Sequence, residues 1–233
     1  MSTFTKRVCI SAICLIMAVV VYDYDAAIDG IYYDLNTENK EASVTYSSYD
    51  YASYSGIVTI PNYINVEGTG YSVTSIGELA FENCENLTSV TIPNSVKTIG
   101  NCAFWGCRGL VSVTIPNSVT TIGISAFQGC RSLTSLTIPN SVISIGDLAF
   151  QDCSGQTSIK VEPGNPVYNS AGDCNAIIET ATKTLIAGCK NTIIPSDITA
   201  IGDDAFSGCK GLKSIAIPNN VTRIGKRAFH FCI

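Results

Sequence analysis

IPNSVKTIGNCAFWGCRGLVSVT, residues 92–114, is the stretch that decides the fold of this 233-residue chain. The next 23 residues, 115–137, read IPNSVTTIGISAFQGCRSLTSLT, and Ile138 opens a third copy. Self-similarity at a fixed period is the sequence signature of a repeat architecture, in which each unit contacts mainly its neighbours. The sequence therefore predicts a repeat solenoid with units of 23 residues.

The unit keeps the same residue types at fixed positions. An Ile-Pro pair opens it, and an Ile-Gly pair, an Ala-Phe pair and a Cys follow in that order. The opening residues are Ile60, Ile92, Ile115, Ile138, Ile194 and Ile217. The glycines are Gly77, Gly100, Gly123, Gly146, Gly202 and Gly225. The rings are Phe81, Phe104, Phe127, Phe150, Phe206 and Phe229, and the thiols are Cys84, Cys107, Cys130, Cys153, Cys209 and Cys232.

Each unit is expected to supply one short strand, followed by short helical or irregular turns. In residues 88–92, alternation points Val90 and Ile92 inward, and Ser89 and Thr91 outward. The following proline lacks a backbone donor and should end the ladder. The glycine of each Ile-Gly pair is predicted to adopt a backbone conformation closed to residues with a Cβ. The Phe rings should stack along the solenoid axis as the main core filling.

The pattern I-P-x-x-V-x-x-I-G-x-x-A-F-x-x-C-x-x-L resembles the leucine-rich repeats of BspA-like bacterial surface proteins, from about residue 57 to the C-terminus. The resemblance implies a leucine-rich-repeat solenoid on the cell surface that adheres to host matrix proteins or to other cells. The pattern contains only residues that build the fold, so the resemblance assigns no ligand-binding residue.

The chain divides into three regions. Residues 1–26 place Lys6 and Arg7 before an apolar run, which is typical of a secretory signal peptide; an uncleaved N-terminal anchor is the alternative. Residues 27–59 read as a β-hairpin that caps the first unit. Residues 60–233 form the solenoid, with an irregular unit at 161–193 that contains a hairpin. The last unit stops just after its Cys, so it is either its own cap or a truncated copy of a longer array.

The composition and the cysteine spacing exclude several classes of function. A net charge of −5 with 14% charged residues disfavours nucleic-acid binding. The eleven cysteines contain no C-x-x-C pair, and His230 is the single histidine, so we predict no metal site, no cofactor and no catalytic residue. The carboxylates look scattered. If the hairpin turn is centred between residues 181 and 182, Cys174 faces Cys189 and a disulfide between them is a candidate.

The candidate binding surface consists of outward strand residues and exposed aromatic residues. Its members are Ser89, Thr91, Ser112, Thr114, Ser135, Thr137, Trp105, Tyr49, Tyr51 and Tyr54. The hydroxyl rows either bind a ligand or merely keep the sheet soluble. The tyrosines lie in a Ser/Tyr-rich loop, either as contact residues or as rings packed on the first unit. Trp105 is either a contact anchor or packs along its neighbours.

Together these features favour a non-catalytic, secreted or cell-surface binding module whose ligand is a protein or a glycan on host or neighbouring cells. No transmembrane segment is expected beyond the signal region, and the sequence does not indicate an oligomeric state. One alternative is a structural spacer cut from a longer array. A glycan-acting enzyme is a further alternative, and it would require acidic side chains clustered on one face.

Overall fold

The computed structural model describes residues 24–47 and 52–232. They form a solenoid of short strands and turns, which confirms the predicted repeat fold. The strands are β1 (Ala26–Ile28), β2 (Ile31–Asn36), β3 (Glu41–Thr45), β4 (Gly56–Thr59), β5 (Tyr63–Val66), β6 (Thr69–Ile76), β7 (Leu87–Thr91), β8 (Thr98–Ile99), β9 (Ser112–Thr114), β10 (Thr121–Ile122), β11 (Ser135–Ile138), β12 (Ser144–Ile145), β13 (Ser158–Val161), β14 (Tyr168–Asn169), β15 (Ala176–Glu179), β16 (Thr184–Gly188), β17 (Ala200–Ile201) and β18 (Arg223–Ile224). Within the described ranges, the one helical element is a 3₁₀ turn at Ala171–Asp173.

One ladder of strands follows the predicted alternating pattern. Strands β4, β7 and β9 pair in parallel, as do β11 and β13. Ser89 lies opposite Ser112 and Thr91 lies opposite Thr114, a register of one 23-residue unit. Val90 points into the core between the two outward residues of its strand. The predicted inward and outward faces are therefore confirmed.

A second parallel ladder, which the sequence pattern did not predict, runs along another side of the solenoid. It joins β6, β8, β10 and β12, and it resumes with β16, β17 and β18 after the irregular unit. Most of its strands are only the two residues before an Ile-Gly glycine. The turns are linked as well, because the Phe81 N–H donates to the Ala103 carbonyl at 2.7 Å.

The Phe rings stack as predicted. The centroids of Phe81 and Phe104 lie 4.9 Å apart, and those of Phe104 and Phe127 lie 5.1 Å apart, with ring planes within 6° of parallel. Phe150 continues the stack at 5.9 Å. Since no single unit could bury such a ring on both faces, stacking between units is what supplies the core.

The Ile-Gly glycines are required for a reason other than the predicted one. None of the six lies at positive φ. Instead, a Cβ added to Gly123 would lie 2.6 Å from the Asn101 nitrogen and the Gly100 carbonyl carbon, and one added to Gly146 would lie 2.4 Å from the Ile124 nitrogen. The prediction of a special backbone conformation was wrong. Close approach of the neighbouring backbone excludes the Cβ at five of the six glycines, whereas a Cβ on Gly202 would lie 3.1 Å from the Leu185 carbonyl oxygen.

Positive φ occurs at two other positions of every unit, two and six residues after that glycine. The first position is held by Leu79, Cys102, Ser125, Leu148, Asp204 and Arg227, and the second by Asn83, Gly106, Gly129, Asp152, Gly208 and Phe231. Gly, Asn and Asp tolerate this conformation best. They hold the second position in every unit except the last, where Phe231 has φ 55°.

The N-terminal hairpin caps the second ladder. Strands β2 and β3 pair antiparallel, with Asn36 opposite Glu41, and β3 continues in parallel with β6. Ala26, which a signal peptide of residues 1–26 would include, is the first residue of β1. The Asp25 carboxylate also accepts the Leu35 N–H at 2.8 Å. The remaining part of the predicted signal region, residues 1–23, lies outside the described residues, and the domain boundaries stay a prediction.

The irregular unit places an antiparallel hairpin in the second ladder. Strand β15 pairs with β14 and β16, and β16 then pairs in parallel with β17. Beyond this hairpin, residues 213–217 form no strand, and Ile217, Ile224 and Phe231 are exposed by 42%, 50% and 65%. The equivalents of Ile217 and Ile224 in interior units, such as Ile115 and Ile122, are buried because another unit stacks over them.

Candidate functional site

The outward side chains of β7, β9 and β11 form a flat hydroxyl face. Thr91, Ser112 and Thr114 are exposed and Ser89 is half-buried, while Val113 between them is in the core. Ser135 and Thr137 on β11 are also exposed. The six predicted residues therefore share one surface, and their rows run across successive units. Hydroxyl groups both donate and accept hydrogen bonds, so this face suits a polar, uncharged ligand surface.

Different residues occupy the two ends of the hydroxyl rows. At the N-terminal end, Ile57 lies opposite Ser89 in the register, and its side chain is 75% exposed. At the other end, Lys160 lies opposite Thr137, and its ammonium contacts the Asp173 carboxylate at 3.5 Å. The Ser row thus begins after an apolar residue and continues to Ser158, whereas the Thr row begins at Thr59 and ends before the ion pair.

Trp105 does not join this face. It lies in the turn between the two positive-φ residues of its unit, where its carbonyl accepts the Asn83 N–H at 2.7 Å. Its side chain is 37% exposed. Equivalent positions in neighbouring units hold Glu82 and Gln128, and the Gln128 amide donates to the Gln151 amide oxygen at 2.6 Å. Trp105 therefore belongs to a column of turn side chains, and any contact it makes would be separate from the hydroxyl rows.

Tyr54 must be removed from the candidate surface. Its side chain is only 6% exposed, and its ring centroid lies 4.6 Å from that of Phe81. Its hydroxyl donates to the Thr45 carbonyl and accepts the Tyr32 N–H. Tyr54 thus continues the Phe stack into the cap, as the alternative prediction for this loop supposed. Tyr49 and Tyr51 lie outside the described residues, so their role stays a prediction.

The ladder thiols are hydrogen-bond donors in the core. Four of the six donate to the Phe carbonyl of the preceding unit: Cys107 to Phe81 at 2.9 Å, Cys130 to Phe104 at 3.2 Å, Cys153 to Phe127 at 3.1 Å and Cys232 to Phe206 at 3.1 Å. Cys209, which follows the irregular unit, donates instead to the Gly188 carbonyl at 3.4 Å. Burial raises the pKa of Cys153 to about 12 and that of Cys84 to about 11. Because the thiolate is the reactive form, these thiols link units and are poor nucleophiles.

The predicted disulfide between Cys174 and Cys189 is not formed, and both thiols are free. The turn lies where the sequence placed it, since Ile178 pairs with Leu185. A bulge then shifts the register by one residue, so that Ala176 pairs with Gly188. Extending that register places Asn175, and not Cys174, opposite Cys189. The Cys189 thiol accordingly donates to the Asn175 carbonyl at 3.6 Å.

The acidic residues are less scattered than the sequence suggested. A cleft of about 520 Å³ lies between the turn after β12 and the irregular unit together with the unit that follows it, and Asp147, Glu179, Asp203 and Asp204 line it. Asp204 is paired with Arg227 at 3.0 Å. Within the described residues, no group of three or more His, Cys, Asp and Glu side chains could hold a metal ion. In the same part of the chain, no helix is long and apolar enough to span a membrane.

Comparison with known proteins gives one family and several similar structures. The model of the BspA type leucine rich repeat region matches residues 59–171 and 184–233, in six copies. A leucine-rich repeat protein from Bacteroides ovatus is 28% identical with a TM-score of 0.57, over 87% of this chain and 55% of that one. One from Bacteroides capillosus is 30% identical with a TM-score of 0.51, over 59% of this chain and 97% of that one.

A leucine-rich repeat protein from Eubacterium ventriosum shares the fold at 23% identity and a TM-score of 0.59, over 87% of this chain and 62% of that one. The chain thus spans little more than half the length of the Bacteroides ovatus protein. No curated protein matches the sequence.

Proposed function

Because the chain belongs to the BspA-type leucine-rich-repeat family, we propose that it is an exported binding module, without catalytic activity, for a protein or glycan on host or neighbouring cells. The observation that carries the proposal is the hydroxyl face. It offers aligned Ser and Thr side chains on β7, β9 and β11, all exposed except the half-buried Ser89, above a packed core. Extended faces of this kind are the surfaces with which solenoids bind their partners.

Export is supported by the N-terminal sequence. Lys6 and Arg7 precede the apolar run of residues 8–21, the order found in secretory signals. Leucine-rich repeat proteins of this family are typically without catalytic activity. Adhesion, the function of the family's bacterial surface members, is the form of binding that we propose for this chain.

The test is binding of the full chain to a panel of matrix proteins, mucins and glycans. The variant Ser112→Arg with Ser135→Arg places two long cations on the hydroxyl face, and we expect it to weaken binding at least about tenfold. Asn94→Arg with Asn117→Arg is the matched control, because both asparagines are exposed in turns outside the sheet. Saturable binding that both double variants retain would exclude the hydroxyl face as the site.

The acid-lined cleft favours a second candidate, a glycan-acting enzyme, because general acid–base chemistry needs paired carboxylates. Asp147→Asn with Glu179→Gln tests it. Release of reducing sugar from a mucin by the wild-type chain, lost in this variant, would establish catalysis. Absence of both binding and hydrolysis in a folded chain would instead favour the structural spacer.

A further inference from the structure

Strand β4 is the end strand of its sheet. It pairs with β7 on one side only, and the described residues place no strand on its other side. The Ile60 N–H donates to the Thr91 carbonyl at 3.1 Å, so this residue directs its backbone toward β7. Alternate residues of a strand direct their backbone groups to opposite neighbours, which leaves the N–H and C=O of Ile57 and Thr59 on the free edge.

This edge lacks the features that usually protect such strands. Natural edge strands carry charged side chains, proline or bulges that discourage pairing with another chain. The sequence of β4 is Gly-Ile-Val-Thr, without charge or proline, and its Ile57 side chain is 75% exposed. The one bulge lies on the side facing β7, between Gly56 and Ile57.

A pocket of about 390 Å³ lies beside the same edge. Ile28, Ile31 and Val58 give it apolar walls, and Asp29 and Tyr33 also line it. The Tyr33 side chain is fully buried, yet among the described residues its hydroxyl has no hydrogen-bond partner. A buried hydroxyl without a partner is costly, but this one has no accessible surface, so a ligand would contact the apolar residues of the pocket and not the Tyr33 hydroxyl. Burial and the nearby Asp29 carboxylate raise the pKa of Tyr33 to about 12, so the hydroxyl stays a donor.

The repeat itself indicates what fits this edge. Strands β7, β9 and β11 share the pattern Ser-apolar-Thr-Ile, with hydroxyls outward and apolar residues inward, and β7 and β9 pair through it. Strand β7 binds the opposite edge of β4 in this way. A strand added to the free edge in the same register would direct its inward side chains into the pocket beside Val58.

We propose that the free edge of β4 and the adjoining pocket form a docking site for an extended peptide segment of a partner protein, which adds to the sheet as a strand. Backbone hydrogen bonds to Ile57 and Thr59 supply the attachment, as in other cases of strand addition. An apolar side chain that packs on the walls formed by Ile28, Ile31 and Val58 supplies the selectivity. The site is separate from the hydroxyl rows of β9 and β11 and does not depend on the function proposed for them.

The probe is the labelled peptide TSVTIP, which copies residues 88–93. We expect saturable binding to the full chain below about 1 mM, measured by fluorescence anisotropy. Two N-methylated versions, each blocking one alternate set of peptide nitrogens, provide a control for strand addition. Only one set faces β4, so one version should bind and the other should not. Binding by both versions, or no saturation by the parent peptide, would overturn the proposal.

Amide hydrogen exchange locates the peptide without any substitution. The Ile57 and Thr59 amides should exchange fast in the free chain and at least about tenfold more slowly with bound peptide, whereas the Ile60 amide is already protected. Unchanged exchange at both residues would refute the assignment.

Ile57→Pro should abolish peptide binding, because proline blocks the edge yet is tolerated in edge strands. Ile57→Thr, which keeps the backbone donor, should retain binding. The Ser112→Arg and Ser135→Arg variant should bind the peptide normally, which separates this site from the hydroxyl face. Binding of a glycan that Ile57→Pro removes would overturn the assignment of a peptide ligand.

Discussion

Gly123 and Gly129 lie in the same unit but are required for opposite physical reasons, and this makes their alanine variants a sharp test of the structure. A Cβ on Gly123 would lie 2.6 Å from backbone atoms of the preceding unit. A Cβ on Gly129 would meet nothing closer than 3.6 Å, but its φ of +75° is unfavourable for alanine.

The two costs differ in size. At Gly123 the neighbouring units must separate by roughly 0.8 Å to reach ordinary contact. That movement would stretch the 2.8 Å hydrogen bond from the Gly123 N–H to the Ile99 carbonyl beyond hydrogen-bond length. Overpacking together with the lost hydrogen bond gives about 3 kcal/mol. At Gly129 the left-handed conformation alone costs alanine about 1 kcal/mol.

Equilibrium urea unfolding followed by circular dichroism measures both variants against the wild-type chain. The effect of Gly→Ala on the unfolded chain is the same at both sites, so it cancels in the comparison. We expect Gly123→Ala to be less stable than Gly129→Ala by about 2 kcal/mol. Equal stability, or a greater loss at Gly129, would show that the units do not approach as closely as the structure places them.

Three further predictions follow from the thiols and the last unit. Phe231→Asn should raise the free energy of unfolding by about 0.5–1 kcal/mol in urea titrations, because asparagine tolerates the positive φ at this position better than phenylalanine; a loss of stability would contradict the strain. Burial raises the pKa of Cys153 and Cys209 to about 12, above that of an unfolded thiol. The folded chain therefore keeps these two thiols protonated to a higher pH than the unfolded chain does. The free energy of unfolding should be constant below about pH 8.5 and should fall between pH 8.5 and pH 12, by up to about 1.4 kcal/mol per pH unit for each thiol. Non-reducing peptide mapping should find Cys174 and Cys189 unlinked, and a mapped bridge between them would show that the bulge in β15–β16 is misplaced.

The period of the sequence predicted the features that repeat with it. Equivalent side chains in six units lie above one another only if the units stack. The 23-residue period therefore predicted the column of Phe rings and the register of β7 on β9. The second ladder was missed because its rungs, such as Thr98–Ile99, are two residues long. A strand of two residues is too short to show an alternating pattern in the sequence. An apolar residue in it indicates only that the residue belongs to the core.

The glycines show a different limit. A sequence records that a Cβ is excluded but not whether φ or a neighbouring atom excludes it. A signal was nevertheless present, because the left-handed position accepts Asn83 and Asp152 in place of Gly, as a position requiring positive φ does. The Ile-Gly position accepts only Gly in all six units, as a position without room for any Cβ does. The register slip between Cys174 and Cys189 left no comparable trace, since a bulge depends on local packing.

The same constraints decide where this chain is free to recognise a partner. Inward residues fill the core, Ile-Gly glycines lie against the backbone of the preceding unit, and four of the ladder thiols donate to the preceding Phe carbonyl. These positions are therefore set by stacking. Outward strand residues face none of these demands, yet Ser and Thr recur there at the spacing of parallel strands, about 4.8 Å. Because the rows repeat, a ligand could shift by one strand along them and make the same contacts. The Lys160–Asp173 ion pair at the end of the Thr row breaks that equivalence, so it would fix where along the solenoid the ligand lies.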